Sequence, residues 1–180
     1  FGVKKPDVAF QNGGGIRNDA VIPANSDISE LTTFDIAPFA NFVTVVEDVP
    51  AAQLKEIMEN AVSTQFTGGS TGRFAQISGF KVVWDSTGVS QVVDNDGKVT
   101  TAGTRVHTLT LNDGTKIVEN AQLVSGAPSV TVATIDFLAG GGDQYPFRGA
   151  KYTKLGVVYQ RALYNYIKDE LKGDINATNY

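Results

Sequence analysis

The sequence predicts an α+β domain: one unit with a mixed or antiparallel sheet and a few packed helices. Three observations lead there. Residues 80–134 are rich in β-branched runs punctuated by Asn-Asp-Gly turns. Only a few segments carry an apolar stripe at helical spacing. The length of 180 residues, 42% hydrophobic, suits a single core, with no repeat, low-complexity tract or linker dividing it.

Taken in order, Phe1-Gly2-Val3-Lys4-Lys5-Pro6 reads as the tail of an element that begins upstream. Asp7-Val8-Ala9-Phe10-Gln11 is a short apolar run stopped by glycines, a buried strand entering a loop. Asp27 or Ser29 can cap a short helix. Phe42-Val43-Thr44-Val45-Val46 is strand-like. Pro50 then opens a helix where its missing N–H costs nothing, and Leu54, Ile57, Met58 and Ala61 give that helix one apolar stripe. Phe80–Asp85 alternates in part, and Asn95-Asp96-Gly97 is a hairpin turn. Arg105–Leu111 alternates cleanly and turns at Asn112-Asp113-Gly114 into Thr115–Val118. Another strand is expected over Ser129–Thr134. A last helix of about twenty residues is expected from Thr153, its face built from Leu155, Val158, Tyr159, Ala162, Leu163, Tyr166, Ile167 and Leu171, with Gly173 as its stop.

Composition excludes several functions. A net charge of −4 and a pI near 4.9 oppose a partner held by bulk electrostatics, such as duplex nucleic acid or an anionic membrane. No apolar run nears the roughly 18 residues that span a bilayer, and no signal-peptide pattern opens the sequence. Without cysteine there is neither a disulfide nor a thiolate metal site. One histidine, His107, lies in the alternating strand and reads as an ordinary packed or half-exposed residue. A His-rich dinuclear metal site cannot be built from it, and no GxSxG elbow supports a triad. Among 19 acidic residues no segment singles out a catalytic pair.

Two glycine-rich stretches invite a ligand. Asn12-Gly13-Gly14-Gly15-Ile16-Arg17 follows a strand; its glycines serve unusual backbone angles or a close approach, its N–H groups can cradle an anion, and Arg17 adds a fork for phosphate or carboxylate. A tight turn with a solvated arginine explains the same residues. The spacing matches neither a Walker loop nor GxGxxG. Asp136-Phe137-Leu138-Ala139-Gly140-Gly141-Gly142-Asp143-Gln144-Tyr145 sets a π-face and a carboxylate beside bare backbone, which suits a planar ring carrying a vicinal diol. A helix end, with Phe137 in the core and Asp143 in a turn, is the other reading. Pro38-Phe39-Ala40-Asn41 fits a core phenylalanine as well as a site, and Thr67–Phe74 reads as a loop with Phe74 packed.

Asn-Gly-Gly-Gly-Ile-Arg (12–17), Pro-Phe-x-Asn (38–41) and Phe-Leu-Ala-x-Gly-Gly-Asp-x-Tyr (137–145), in this order and spacing, resemble the C-terminal domain of the 5'-nucleotidase family. That family includes UDP-sugar hydrolases and 2',3'-cyclic nucleotide phosphodiesterases. The resemblance spans essentially residues 1–180 and implies a substrate-binding domain whose N-terminal metallophosphoesterase partner and first helix lie outside this sequence. It implies that Phe39 and Phe137 sandwich the base, Asp143 binds the ribose hydroxyls, Arg17 contacts phosphate, Asn12 lies near the base, and Asn41 and Gly72 touch it. Ala40 and Gln144 stand where the family more often has glycine. By the same resemblance no cofactor belongs to this chain, a divalent metal pair belongs to the partner domain, and the protein is extracellular, periplasmic or on the cell surface. The chain alone is then expected to be inactive. A stand-alone module recognising a nucleoside or a protein surface without hydrolysis is the alternative. Metal-ligand motifs such as DxH and NHE upstream of Phe1 would decide for the enzyme.

Overall fold

The structure, a computed structural model, describes residues 2–178; Phe1, where the expected tail of an upstream element begins, lies outside them. Along the chain come β1 (Val8–Asn12), a 3-10 turn (Gly13–Gly15), α1 (Glu30–Ile36), β2 (Phe42–Val49), α2 (Ala51–Val62), β3 (Ala75–Ser78) and β4 (Phe80–Trp84). Next are β5 (Val92–Val93), β6 (Val99–Thr101), β7 (Val106–Leu111), β8 (Lys116–Glu119) and β9 (Gln122–Leu123). The chain closes with β10 (Val130–Ile135), α3 (Asp136–Ala139), a 3-10 turn (Gly142–Gln144), β11 (Thr153–Val158) and α4 (Tyr159–Asn165). A π-helical turn over Tyr166–Glu170 follows.

A five-stranded sheet in the order β11-β2-β10-β1-β3 carries the architecture. Its β1–β10 pair is parallel and the others are antiparallel. A second sheet, β4-β7-β8-β9, is antiparallel, and β5-β6 forms a small ribbon around the Asn95-Asp96-Gly97 turn. Helix α2 supplies one core with both sheets: Leu54, Ile57, Met58, Ala61 and Val62 pack with Val8, Phe10, Val46 and Val132 of the first and Phe80, Val106, Leu109 and Ile117 of the second. Leu54 and Ile57 are wholly buried, so truncating either to alanine is worth about 2–5 kcal/mol.

Local chemistry sets the helix ends. Ser29 caps α1 and exchanges bonds with Thr32 in a capping box. Pro50 is the N-cap of α2, its carbonyl taking the Leu54 N–H at 2.9 Å. At the other end Arg105 donates from Nη1 to the carbonyls of Val62, Ser63 and Gln65 at 3.0, 3.1 and 3.1 Å. Val62 is the last residue of α2 and Ser63 its C-cap, so the guanidinium serves carbonyls at the C-terminal end of the helix. The Glu59 carboxylate takes the N–H groups of Arg105 and Val106, which fastens β7 to α2.

Two expectations need correction. The helix expected from Thr153 begins only at Tyr159, and residues 153–158 are a strand paired with β2. Gly156 has φ +69, which no helix tolerates, and the edge of β2 offers Thr153 and Lys154 backbone partners at Val45 and Thr44. The clean alternation of β7 is also interrupted: Trp84 pairs with Val106 and Val83 with Thr108, so His107 is the extra residue of a β-bulge. The bulge lets Val106 and Leu109 both enter the core while His107 faces out, its Nε2 2.6 Å from the Asp85 carboxylate.

Candidate functional site

Topology gathers the motifs. Because β1 and β10 run parallel side by side, the loops that follow them emerge at the same end of the sheet. Strand β2 is antiparallel to β10 and β3 antiparallel to β1, so the loops that precede β2 and β3 lie at that end too. Both glycine runs, the Pro38–Asn41 loop and the Thr67–Phe74 loop therefore converge, as crevices at strand ends generally do. Between them lies a cavity of about 400 Å³, within the range of small-molecule sites. Its lining contains Asn12, Arg17, Phe39, Asn41, Gly72, Phe137 and Asp143, every site residue singled out from the sequence, joined by Gly14, Gly15 and Ser70.

The first glycine run answers its own question. None of Gly13, Gly14 and Gly15 has a positive φ; they form a 3-10 turn. Their purpose is close approach: Gly13 and Gly14 donate to the Phe74 and Gly72 carbonyls at 2.7 and 2.6 Å, and a Cβ on Gly14 would stand 3.2 Å from Gly72 Cα. Arg17 is exposed, its amide bonded to the Ile36 carbonyl at 2.9 Å and its guanidinium 5.3 Å from the Phe39 ring centroid.

Phe39 and Phe137 are 43% and 44% exposed, so neither is a core residue. Phe39 is fixed through its amide, which donates to the Tyr159 hydroxyl at 3.2 Å, while that hydroxyl donates to the Gly15 carbonyl at 2.9 Å. One phenol thus joins two cavity loops. Burial, against smaller opposing contacts from the Phe39 amide and Arg17, keeps the phenol above its ordinary pKa, so it stays a neutral donor. Phe137 is the second residue of α3 and packs on Gly142, where a Cβ would stand 2.5 Å from the ring. Next to it, Asp136 accepts the Phe42 amide at 2.9 Å and pairs with Lys154 at 2.7 Å.

Asp143 has its carboxylate in the cavity and takes the Asn12 Nδ2 at 2.6 Å. Asn12 is buried, its Oδ1 bonded to Gln11 Nε2 at 2.7 Å, so its amide serves Asp143. Asn41 lines the cavity and its carbonyl holds the Tyr159 amide at 2.9 Å. Beneath this wall Tyr145 is fully buried, stacked on Phe10 at 5.5 Å, and donates to the Arg73 carbonyl at 2.7 Å. Phe74 packs against the core, as its sequence context suggested.

Sequence reasoning missed three contributors. Ser70 left a signal, a serine in a Gly-rich loop. Asn60, wholly buried, was visible only as a polar residue beside the apolar stripe of α2. Tyr159 left none, since it continues an apolar helix face.

The chain is similar to known proteins throughout this architecture. The curated "Probable 5'-nucleotidase" of Treponema pallidum (strain Nichols) is 36% identical over 81 residues, 45% of this chain and 13% of that protein. The crystal structure of a 5'-nucleotidase precursor from Thermus thermophilus superposes with a TM-score of 0.71 at 26% identity, covering 93% of this chain and 29% of that one. The Haemophilus influenzae NAD nucleotidase superposes at 0.65 with 19% identity, covering 92% of this chain and 27% of that one, a likeness of fold. The chain thus spans less than a third of the length of each of these relatives. Residues 3–149 match the family described as 5'-nucleotidase, C-terminal domain, and the chain belongs to that family.

Proposed function

We propose that this domain binds the nucleotide substrate of a 5'-nucleotidase-type phosphohydrolase. In this reading the base enters between Phe39 and Phe137, Asp143 accepts hydrogen bonds from the ribose hydroxyls, and Arg17 meets phosphate. Asn41 and Gly72 border the base, and Asn12 lies beside it while orienting Asp143. The observation that carries the reading is the single cavity in which two exposed aromatic rings, one carboxylate and one guanidinium meet. A base stacked on an aromatic ring gains about 1–3 kcal/mol, and hydrogen bonds to a carboxylate exceed neutral ones.

Hydrolysis is assigned to a partner metallophosphoesterase domain of an exported or cell-surface enzyme. Among the described residues no group of three or more His, Asp or Glu could hold a metal ion, so these residues do not fit the metal pair. Among the described residues no helix is long and apolar enough to cross a membrane.

Titration of adenosine, uridine and AMP into the chain by calorimetry tests the reading. Weak binding is expected, because one small ligand offers few atoms. Phe39→Ala or Phe137→Ala should remove most of it while the chain stays folded, and Arg17→Ala should remove the advantage of AMP over adenosine. Undiminished binding in both phenylalanine variants would rule out the clamp.

A further inference from the structure

Asp143 and Gln144 are consecutive non-glycine residues in the left-handed region, with φ of 52° and 58°. Such a backbone persists only where its surroundings hold it. Two side chains outside the cavity lining do so. Asn60 Nδ2, from the buried face of α2, donates to the Asp143 carbonyl at 3.1 Å. Arg73 donates from Nη1 to Asn60 Oδ1 at 3.2 Å and to Ser63 Oγ at 3.3 Å, and from Nη2 to Gln144 Oε1 at 3.0 Å. The guanidinium occupies the oxygen of the Asn60 amide, which leaves the nitrogen to face Asp143. Gln144 is held in turn by its own Nε2, which donates to the Val93 carbonyl at 3.3 Å. The Asp143 carboxylate is thus held directly by Asn12, while the backbone that carries it is held by Asn60 at the Asp143 carbonyl and, through the Gln144 side chain, by Arg73.

We infer that Asn60 and Arg73 are positioning residues that set the Asp143 carboxylate for a vicinal diol and so decide how strongly the site prefers a riboside to its dideoxy counterpart. The inference rests on the proposed nucleotide reading. Neither residue lines the cavity, so both act through Asp143. A carboxylate accepts two hydroxyl donors together only in a narrow range of orientations, and small misplacements weaken such contacts sharply. Stacking of the base is indifferent to that orientation. The two contributions can therefore be separated by ligand.

The experiment titrates adenosine and uridine, each beside its 2',3'-dideoxy form, into the wild-type chain, Asn60→Ala, Arg73→Ala, Gln144→Ala and Asp143→Ala. The wild type should prefer the ribosides. Asn60→Ala and Arg73→Ala should each lower that preference about tenfold, with dideoxy affinities unchanged. Asp143→Ala should abolish the preference, and adding Asn60→Ala to it should change nothing further. Equal losses on both ligand types would mark a merely structural role and overturn the inference, as would an unchanged preference. If Asn60→Ala does not fold, Arg73→Ala and Gln144→Ala decide on the same criterion. A wild type that binds both forms alike overturns the inference while leaving the base clamp standing. One that binds neither overturns the nucleotide reading itself.

Discussion

The two walls of the cavity are built differently. Phe39, Arg17 and Asn41 stand on surface loops, and a single Tyr159 hydroxyl ties the Phe39 amide to the Gly15 carbonyl. Asp143 and Phe137 stand over the core: Asn12 and Asn60 are buried, Tyr145 and Phe10 stack below, and Gly142 seats the Phe137 ring. The difference suits the contacts proposed for Phe39 and for Asp143. A stacking face tolerates some play, because every base has a π-surface. In the proposed reading the Asp143 carboxylate must meet two hydroxyls and tolerates little play, and its backbone is held from several sides.

The contrast breaks most visibly at Tyr145. Tyr145→Ala should cost about 3–5 kcal/mol in denaturant unfolding, as truncation of a buried aromatic does. Phe39→Ala, on the other wall, should stay within about 0.5 kcal/mol. Comparable values for the two would show that the walls do not differ in anchoring.

Asp136 tests the joint between them, because it accepts the amide of Phe42 beside the Phe39 loop and pairs with Lys154 of β11. Burial raises its carboxyl pKa, yet the Lys154 ammonium and the Phe42 amide outweigh that, and the net shift is downward. A carboxyl lowered in the folded state adds stability above its unfolded value, about 3.9, and loses it as pH falls further. The unfolding temperature should therefore fall as pH drops below about 4, and Asp136→Asn should flatten that dependence. An identical pH profile in the variant would show that Asp136 plays no part.

A modest effect is expected at Tyr159. Tyr159→Phe removes one hydroxyl with two partners and should cost about 0.5–1.5 kcal/mol. Its mark should fall on the Phe39 side, as a few-fold weaker affinity for riboside and dideoxyriboside alike. A change confined to the ribosides would place the hydroxyl's influence on the Asp143 wall instead.

Much of this is legible in the residues themselves. Turn chemistry locates the hairpins, Asp27 or Ser29 and then Pro50 mark helix starts, and glycine runs flag loops of unusual backbone or close approach, since these signals are local. The stripe of α2 marks the core face correctly because helical spacing is itself local. The family resemblance singles out seven residues, and all seven line one cavity. Tertiary structure decided the rest. That the loops meet depends on the parallel pairing of β1 with β10, strands more than a hundred residues apart. Residues 153–158 carry a helical stripe yet form a strand, because the edge of β2 is available and Gly156 turns left-handed. Asn60 and Tyr159 acquire their places through bonds across 83, 120 and 144 residues, and no periodicity or composition records a partner at that range.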